Sequence, residues 1–311
     1  MTRTLLACLL IASVLTSCAS RPPAAAPLPP DGPVGGVGLV LDRDERGGRI
    51  DGVLGGSPAA TAGLAMDEIV AAVDGQAVDG WAPERIAARL AGAVGSEVTA
   101  DVLDAAGARR TVALRREVVD IGGVTGRLVG GIGVIRIRSF SRHTPYAVRD
   151  AVAWLTAAGA TGLCLDLRNS LGGPVPTVGE VAELLVDPPA TLWVARMHGR
   201  DTVVRASQPA MTALPLAVLI DAGTRDGSEL LAGALRNAGR ATLVGSPTPG
   251  ALEILRPAPG DDGRMTIRKV GDYLFPALSR TGTDGIAPDV ALDGDADDHA
   301  MLDAARAALG R

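Results

Sequence analysis

The stretch Thr224-Arg225-Asp226-Gly227-Ser228-Glu229 sets two carboxylates and two hydroxyls around one glycine, directly before the apolar run Leu230-Leu231-Ala232. A hydroxyl or carboxylate at such a helix start can act as a nucleophile if backbone amides hold the oxyanion and a base stands nearby. A second glycine pair, Gly172-Gly173 in Asn169-Ser170-Leu171-Gly172-Gly173, can supply oxyanion-hole-like amides together with Gly227, although glycines after a strand also form plain turns. The base is harder to find. Lys269 is the only lysine in the chain, and His143, His198 and His299 are widely scattered and read as surface residues. Without a base, Asp226-x-x-Glu229 reads as a capping box, with the Asp226 carboxylate accepting from first-turn N–H groups and favoured by the helix dipole. Ser228, rotated roughly 200° from Asp226 along a helix, reads as a solvent-facing or capping hydroxyl. No metal-ligand spacing is present; Cys164 reads as a small buried strand residue, and Asp295, Asp297, Asp298 and Asp303 as acids of a helix start.

Both glycine-bearing segments follow strands. From about Gly130, strands at 132–137, 161–167, 191–195, 216–220 and 241–244 alternate with helices at 144–159, 178–186, 226–238 and 297–309. That alternation predicts an α/β (α+β) layered core over 119–311. Residues 35–118 read differently, as a small β-rich domain of short strands and turns. Its one amphipathic helix near 83–90 puts Ile86, Ala87 and Leu90 on one face. Within it, Gly36-Val37-Gly38-Leu39 has the glycine spacing that lets backbone amides approach a carboxylate, and a turn entering a strand is the plain alternative.

The first residues read as an address. Arg3 precedes the apolar run Leu5–Ala12, and small residues lead to Cys18, which describes an export signal over 1–17. Residues 18–34 carry six prolines and read as an extended tether that packs no core. With 311 residues, a net charge of -5 and no basic run, the chain suits two domains and no nucleic-acid partner. Three Trp, two Tyr and two Phe leave the core to Val, Leu, Ile and Ala.

Four ordered blocks carry a resemblance. FSRHTPYAVRDAVAWL, LCLDLRNSLGG, PLAVLIDAGTRDGSELLAGALRNAGRATLVGSPTPG and TDGIAPDV resemble the carboxy-terminal processing (tail-specific) serine peptidases. GSPAATAGL, DEIVAAVDGQ and GSEVTADVL resemble a PDZ domain of bacterial envelope proteases, with Met66 where a glycine is usual. Leu15-Thr16-Ser17-Cys18 resembles a lipoprotein cleavage box with Cys18 as the lipidated residue. The resemblance implies a peptidase-like fold and, in the PDZ part, capture of an extended peptide by the Gly36–Leu39 segment. It also implies a serine nucleophile, a lysine base and an orienting glutamine. Those three positions fall here on Asp226, Ala251 and Leu255. The expectation is an envelope lipoprotein that has lost hydrolysis and binds peptides or carboxy-terminal tails of envelope proteins, anchored to the membrane at Cys18, with no cofactor and no metal. Two alternatives stand beside it: an active serine endopeptidase using Ser228 and a non-standard base, and a structural adaptor with vestigial grooves.

Overall fold

The computed structural model describes residues 32–54, 56–119, 123–259, 264–278, 285–293 and 296–310, with backbone alone for 32–34. The expected export signal, Cys18 and the tether up to residue 31 lie outside the described residues. The last three tether positions, 32–34, are part of strand β1 (Gly32–Gly36), where Gly32 pairs with Leu128 and Val34 with Ala93.

The β-rich half is organised by turns. Strands β2 (Leu39–Asp44) and β3 (Gly47–Val53) form a hairpin. Helix α1 (Pro58–Thr61) starts where the Ser57 hydroxyl accepts from the Ala60 amide at 3.2 Å, with Pro58 at its first position. Strand β4 (Ile69–Val73) turns through Asp74-Gly75, both at positive φ, into β5 (Gln76–Ala77), the two-residue hairpin that this dipeptide favours. Helix α2 (Pro83–Leu90) buries Ile86 and Leu90. Strands β6 (Gly92–Ala93), β7 (Glu97–Leu103), β8 (Arg109–Arg115) and β9 (Glu117–Val118) follow. The sheet runs β2-β3-β4-β7-β8 with β5 on β4, so β2 is an edge, and it encloses its own apolar cluster around Leu41, Ile50, Val70 and Val102.

The second half begins with the hairpin β10 (Val124–Val129) and β11 (Ile132–Ile137), closed by Gly130-Gly131 at positive φ. Helix α3 (Thr144–Ala157), strand β12 (Gly162–Asp166), helix α4 (Val175–Glu183) and the pair β13 (Thr191–Met197) and β14 (Arg200–Arg205) come next. Then follow β15 (Leu216–Ile220), α5 (Gly227–Asn237), β16 (Ala241–Gly245), β17 (Glu253–Pro259), β18 (Met265–Leu274), β19 (Val290–Ala291) and α6 (Asp298–Ala308). The large sheet runs β19-β16-β15-β12-β11-β10-β1-β6, with β9 also on β1, and its β11, β12, β15, β16 and β19 are parallel. Strand alternation splits its two faces. Leu165 and Val218 pack under α3, α4 and α5, whereas Cys164, Ala217 and Leu219 pack under Met301 and Ala305 of α6. Strands β6 and β9, from the β-rich half, extend this sheet through β1, so the two halves share backbone pairing.

Helix α4 starts at Val175 rather than Val178, because Pro176 is tolerated in a first helical turn. The four-stranded sheet β14-β13-β18-β17 was not expected as a unit. Pro257 and Pro259 mask β17 as a strand, and its place at the sheet edge is where missing N–H donors do least harm.

Candidate functional site

The strands β12 and β15 lie side by side, so their carboxyl-end loops meet. The Asp221 carboxylate accepts from the amides of Asn169 at 3.0 Å and Gly223 at 2.9 Å, and the Thr224 hydroxyl donates to the Leu167 carbonyl at 2.9 Å. The Arg225 amide donates to the Ser170 carbonyl at 3.0 Å. These bonds force a sharp turn, and Asp226 takes φ 49° and ψ -120° directly before helix α5. A non-glycine residue held there stores on the order of 1–3 kcal/mol of strain. Gly172 and Gly173 press on the turn: a Cβ on Gly172 would sit 2.4 Å from the Gly227 nitrogen, and one on Gly227 2.9 Å from the Gly173 nitrogen. The structure therefore brings Gly172, Gly173 and Gly227 together at this turn. Among the described residues the amides of Gly173 and Gly227 donate to no acceptor, which suits an anion-facing nest.

Two expectations for the turn are corrected. Asp226 occupies the N-cap position but makes no side-chain cap bond, and its carboxylate is exposed. Glu229 does not reach back to complete a capping box either. It is fully buried and accepts from the Thr248 hydroxyl, the Gly250 amide at 2.8 Å and the Ala251 amide at 2.7 Å. Burial pushes its carboxyl above the usual range, with those three bonds pulling the other way and the Asp226 charge adding to the rise. Ser228 is the second correction. Its hydroxyl is buried, not solvent-facing, and lies 2.6 Å from the Ser170 hydroxyl, since position two of α5 points down onto the β12 loop.

Among the described residues, none of the expected base candidates stands at the turn. Ala251 presents its amide to Glu229 and a methyl group otherwise. Leu255 is half exposed on β17 and sits directly across from Lys269 on β18. Lys269 pairs with Asp272 at 2.9 Å and Glu253 at 3.0 Å, and these hydrogen bonds raise its pKa, the opposite of what a lysine base needs. His143 accepts from the Arg142 side chain at 3.0 Å, His198 lies in an exposed turn at φ 49°, and His299 pairs with Asp303 at 3.0 Å.

The Gly36–Leu39 segment crosses from the end of β1 to the start of β2. Val37, Gly38 and Leu39 are buried, and the Val37 and Gly38 amides donate to no acceptor among the described residues. They border a cavity of about 100 Å³ between α2 and helix α3, with Leu90 on one side and Asp150, Ala151 and Trp154 on the other. Arg149 of α3 donates to the Leu41 carbonyl on edge strand β2 at 3.2 Å and to the Asp150 carboxylate at 3.1 Å. Burial pushes the Asp150 carboxyl up to about 6, with Arg149 opposing. The expected groove is thus closed on one side by the other half of the chain, which no local pattern in 35–118 could announce.

The remaining polar clusters are structural. Asp166, 1% exposed, holds Arg168 through two bonds of 2.8 Å, and Arg168 reaches Asp298 at 2.8 Å, tying the start of α6 to β12. Asp297 caps α6 by accepting from the Ala300 amide at 2.8 Å, so Asp297 and Asp298 have protein partners, while Asp295 lies outside the described residues. Cys164 is buried with its thiol pushed up to about 12, chiefly by burial. Among the described residues no group of three His, Cys, Asp or Glu is placed to hold a metal. Ser170, Thr248 and Arg149 were missed in the sequence; each acts through a partner distant in the chain, Ser170 through Ser228, Thr248 through Glu229 of α5 and Arg149 through the Leu41 carbonyl of β2.

Comparison with known proteins agrees with this geometry. The family model of peptidase family S41 matches residues 131–292, and that of the PDZ domain matches residues 28–103. The chain is 34% identical over 283 residues to a chloroplastic C-terminal processing peptidase of Tetradesmus obliquus, covering 84% of this chain and 61% of the relative. It is 30% identical over 270 residues to a carboxyl-terminal-processing protease of Synechocystis, covering 84% and 63%. The chain thus spans about three fifths of the length of these relatives. Among solved structures, a photosystem II D1 C-terminal processing protease superposes with a TM-score of 0.52 at 29% identity, covering 88% of this chain and 77% of the other. Mixed α/β layers, the glycine-lined turn at Asp226, the β-rich half and these matches agree, and the chain belongs to peptidase family S41 with a PDZ domain.

Proposed function

We propose that this chain is a non-hydrolytic member of the family, an envelope lipoprotein anchored at Cys18 that binds extended peptides and the carboxy-terminal tails of envelope proteins through its PDZ domain. The observation that carries the loss of hydrolysis is the Asp226 carboxylate standing exposed on the strained turn beside the Gly172, Gly173 and Gly227 amides. A fixed negative charge there opposes a second charge developing on a scissile carbonyl. Ala251 and Leu255 offer no base or orienting group, and Lys269 is committed to two carboxylates. The reading with Ser228 as nucleophile loses its support from the burial of that hydroxyl against Ser170.

Tail binding rests on the Val37 and Gly38 amides, the apolar cavity beside them and the edge position of β2, which together suit β-strand addition with carboxylate capture. The test for hydrolysis is incubation of the purified mature chain with an unfolded protein substrate. No new fragments are expected. Cleavage that survives Asp226→Ala and disappears in Ser228→Ala would restore the endopeptidase reading, and absence of any peptide binding would favour a structural adaptor.

A further inference from the structure

We propose that Asp226–Gly227 is a site of covalent self-modification, at which the Gly227 amide closes on the Asp226 side chain to form a succinimide and then an isoaspartyl linkage. The chain contains eight Asp–Gly steps, at Asp31, Asp51, Asp74, Asp79, Asp226, Asp262, Asp284 and Asp293, so the dipeptide alone singles out none of them. Backbone geometry does. In an L-residue the torsion from Cβ to the next nitrogen equals ψ plus about 120°, a consequence of the tetrahedral Cα. At ψ -120° the Gly227 nitrogen therefore eclipses Cβ of Asp226, the arrangement from which a five-membered ring closes on Cγ. Asp74, with φ 48° and followed by Gly75 at φ 71° in the two-residue β4–β5 hairpin, has the type I′ pattern with ψ near about +30°, which holds that nitrogen on the far side of Cα from Cβ.

Three further features remove the usual protections. The Asp226 carboxylate is exposed and makes no cap bond, so among the described residues no hydrogen bond fixes it away from its own backbone. The Gly227 amide donates to no acceptor among the described residues, and its residue carries no side chain to hinder attack. The bonds that hold Asp221, Thr224 and Arg225 keep the turn in this conformation in the folded chain.

The chemistry needs no co-reactant beyond water. The Gly227 nitrogen adds to Cγ of the protonated Asp226 carboxyl group, forming the C–N bond. The Cγ–OH bond breaks, and the hydroxyl leaves with the former amide proton as one water. Hydrolysis of the ring at Cγ regenerates aspartate. Hydrolysis at the main-chain carbonyl leaves Gly227 attached through Cγ, which inserts a methylene into the backbone and moves the turn relative to Gly172 and Gly173.

The experiment incubates the folded full chain, digests it under mild conditions and quantifies isoaspartate at each Asp–Gly step by mass spectrometry, alongside chain held in urea. Formation at Asp226 about tenfold faster than at Asp74 is expected in the folded chain, preceded by a species lacking one water that maps to 226–227. The difference should vanish in urea, and Asp226→Glu should remove the species while far-ultraviolet circular dichroism stays unchanged. Equal or slower formation at Asp226 in the folded chain overturns the proposal, as does a rate difference that persists in urea.

Discussion

The hydroxyls of Ser170 and Ser228 lie 2.6 Å apart with neither exposed to solvent, one on the loop after β12 and the other on the first turn of α5. Each is the other's partner, and the pair pins the strained turn at Asp226 to the neighbouring loop. Removing one hydroxyl leaves the other buried without it. Ser228→Ala is expected to destabilise the chain by about 1–3 kcal/mol, with the double change Ser170→Ala/Ser228→Ala costing less than the sum of the single ones. Urea unfolding of the four chains checks this, and strictly additive losses would show that the two hydroxyls do not interact.

Glu229 does a related job at the other end of the site. Its two oxygens gather the Thr248 hydroxyl and the amides of Gly250 and Ala251, so one carboxylate shapes the loop that carries Ala251. Glu229→Gln turns one acceptor into a donor that faces an amide N–H. A loss of about 2 kcal/mol or more is expected from the broken charge-assisted bond, seen as a lower urea midpoint. An unchanged midpoint would mean that the loop holds its shape without the carboxylate.

Asp150 makes stability depend on pH with a definite sign. Burial lifts its folded-state pKa from 3.8 to about 6, so the folded chain retains this proton longer than the unfolded chain does. Its contribution is fully present below about pH 4 and is lost as pH rises through about 6. Asp150→Asn should therefore gain on the parent chain across that window by up to roughly 3 kcal/mol. Paired urea titrations at pH 4, 6 and 8 measure the difference, and parallel curves would contradict the assignment.

Arg149 occupies the Leu41 carbonyl that an added peptide strand would use on β2. Arg149→Met keeps the aliphatic stem and frees the carbonyl. Tail peptides should then bind about two- to tenfold more tightly, the equivalent of one ordinary hydrogen bond. Fluorescence anisotropy reads this directly, and weaker binding would make Arg149 part of the peptide site rather than its competitor.

Much of this molecule is legible along the chain. The alternation after Gly130 identifies the parallel core because fully buried strands such as Leu216–Ile220 read as unbroken apolar runs. Asp74-Gly75 marks its hairpin because few dipeptides accept two positive φ values. The glycines Gly172, Gly173 and Gly227 stand out through the blocks that resemble the peptidase family, while the pairing of β12 with β15 that brings their loops together is seen only in the fold. Side-chain roles at the site are less so. Asp-x-x-Glu has the form of a capping box, yet tertiary bonds from Thr248, Gly250 and Ala251 capture Glu229, and Asp226 makes no cap bond. The closure of the Gly36–Leu39 segment by α3 is equally invisible, because residues some hundred positions apart create it.

The central claim is tail binding without cleavage, and one titration tests both halves. A fluorescent peptide with a free carboxyl end, and its amidated twin, are titrated with the purified chain and then recovered after prolonged incubation for mass spectrometry. The account predicts about tenfold or greater preference for the free carboxylate and recovery of both peptides intact. Equal affinity for the two ends, or a shortened peptide whose appearance depends on Ser228, would contradict it.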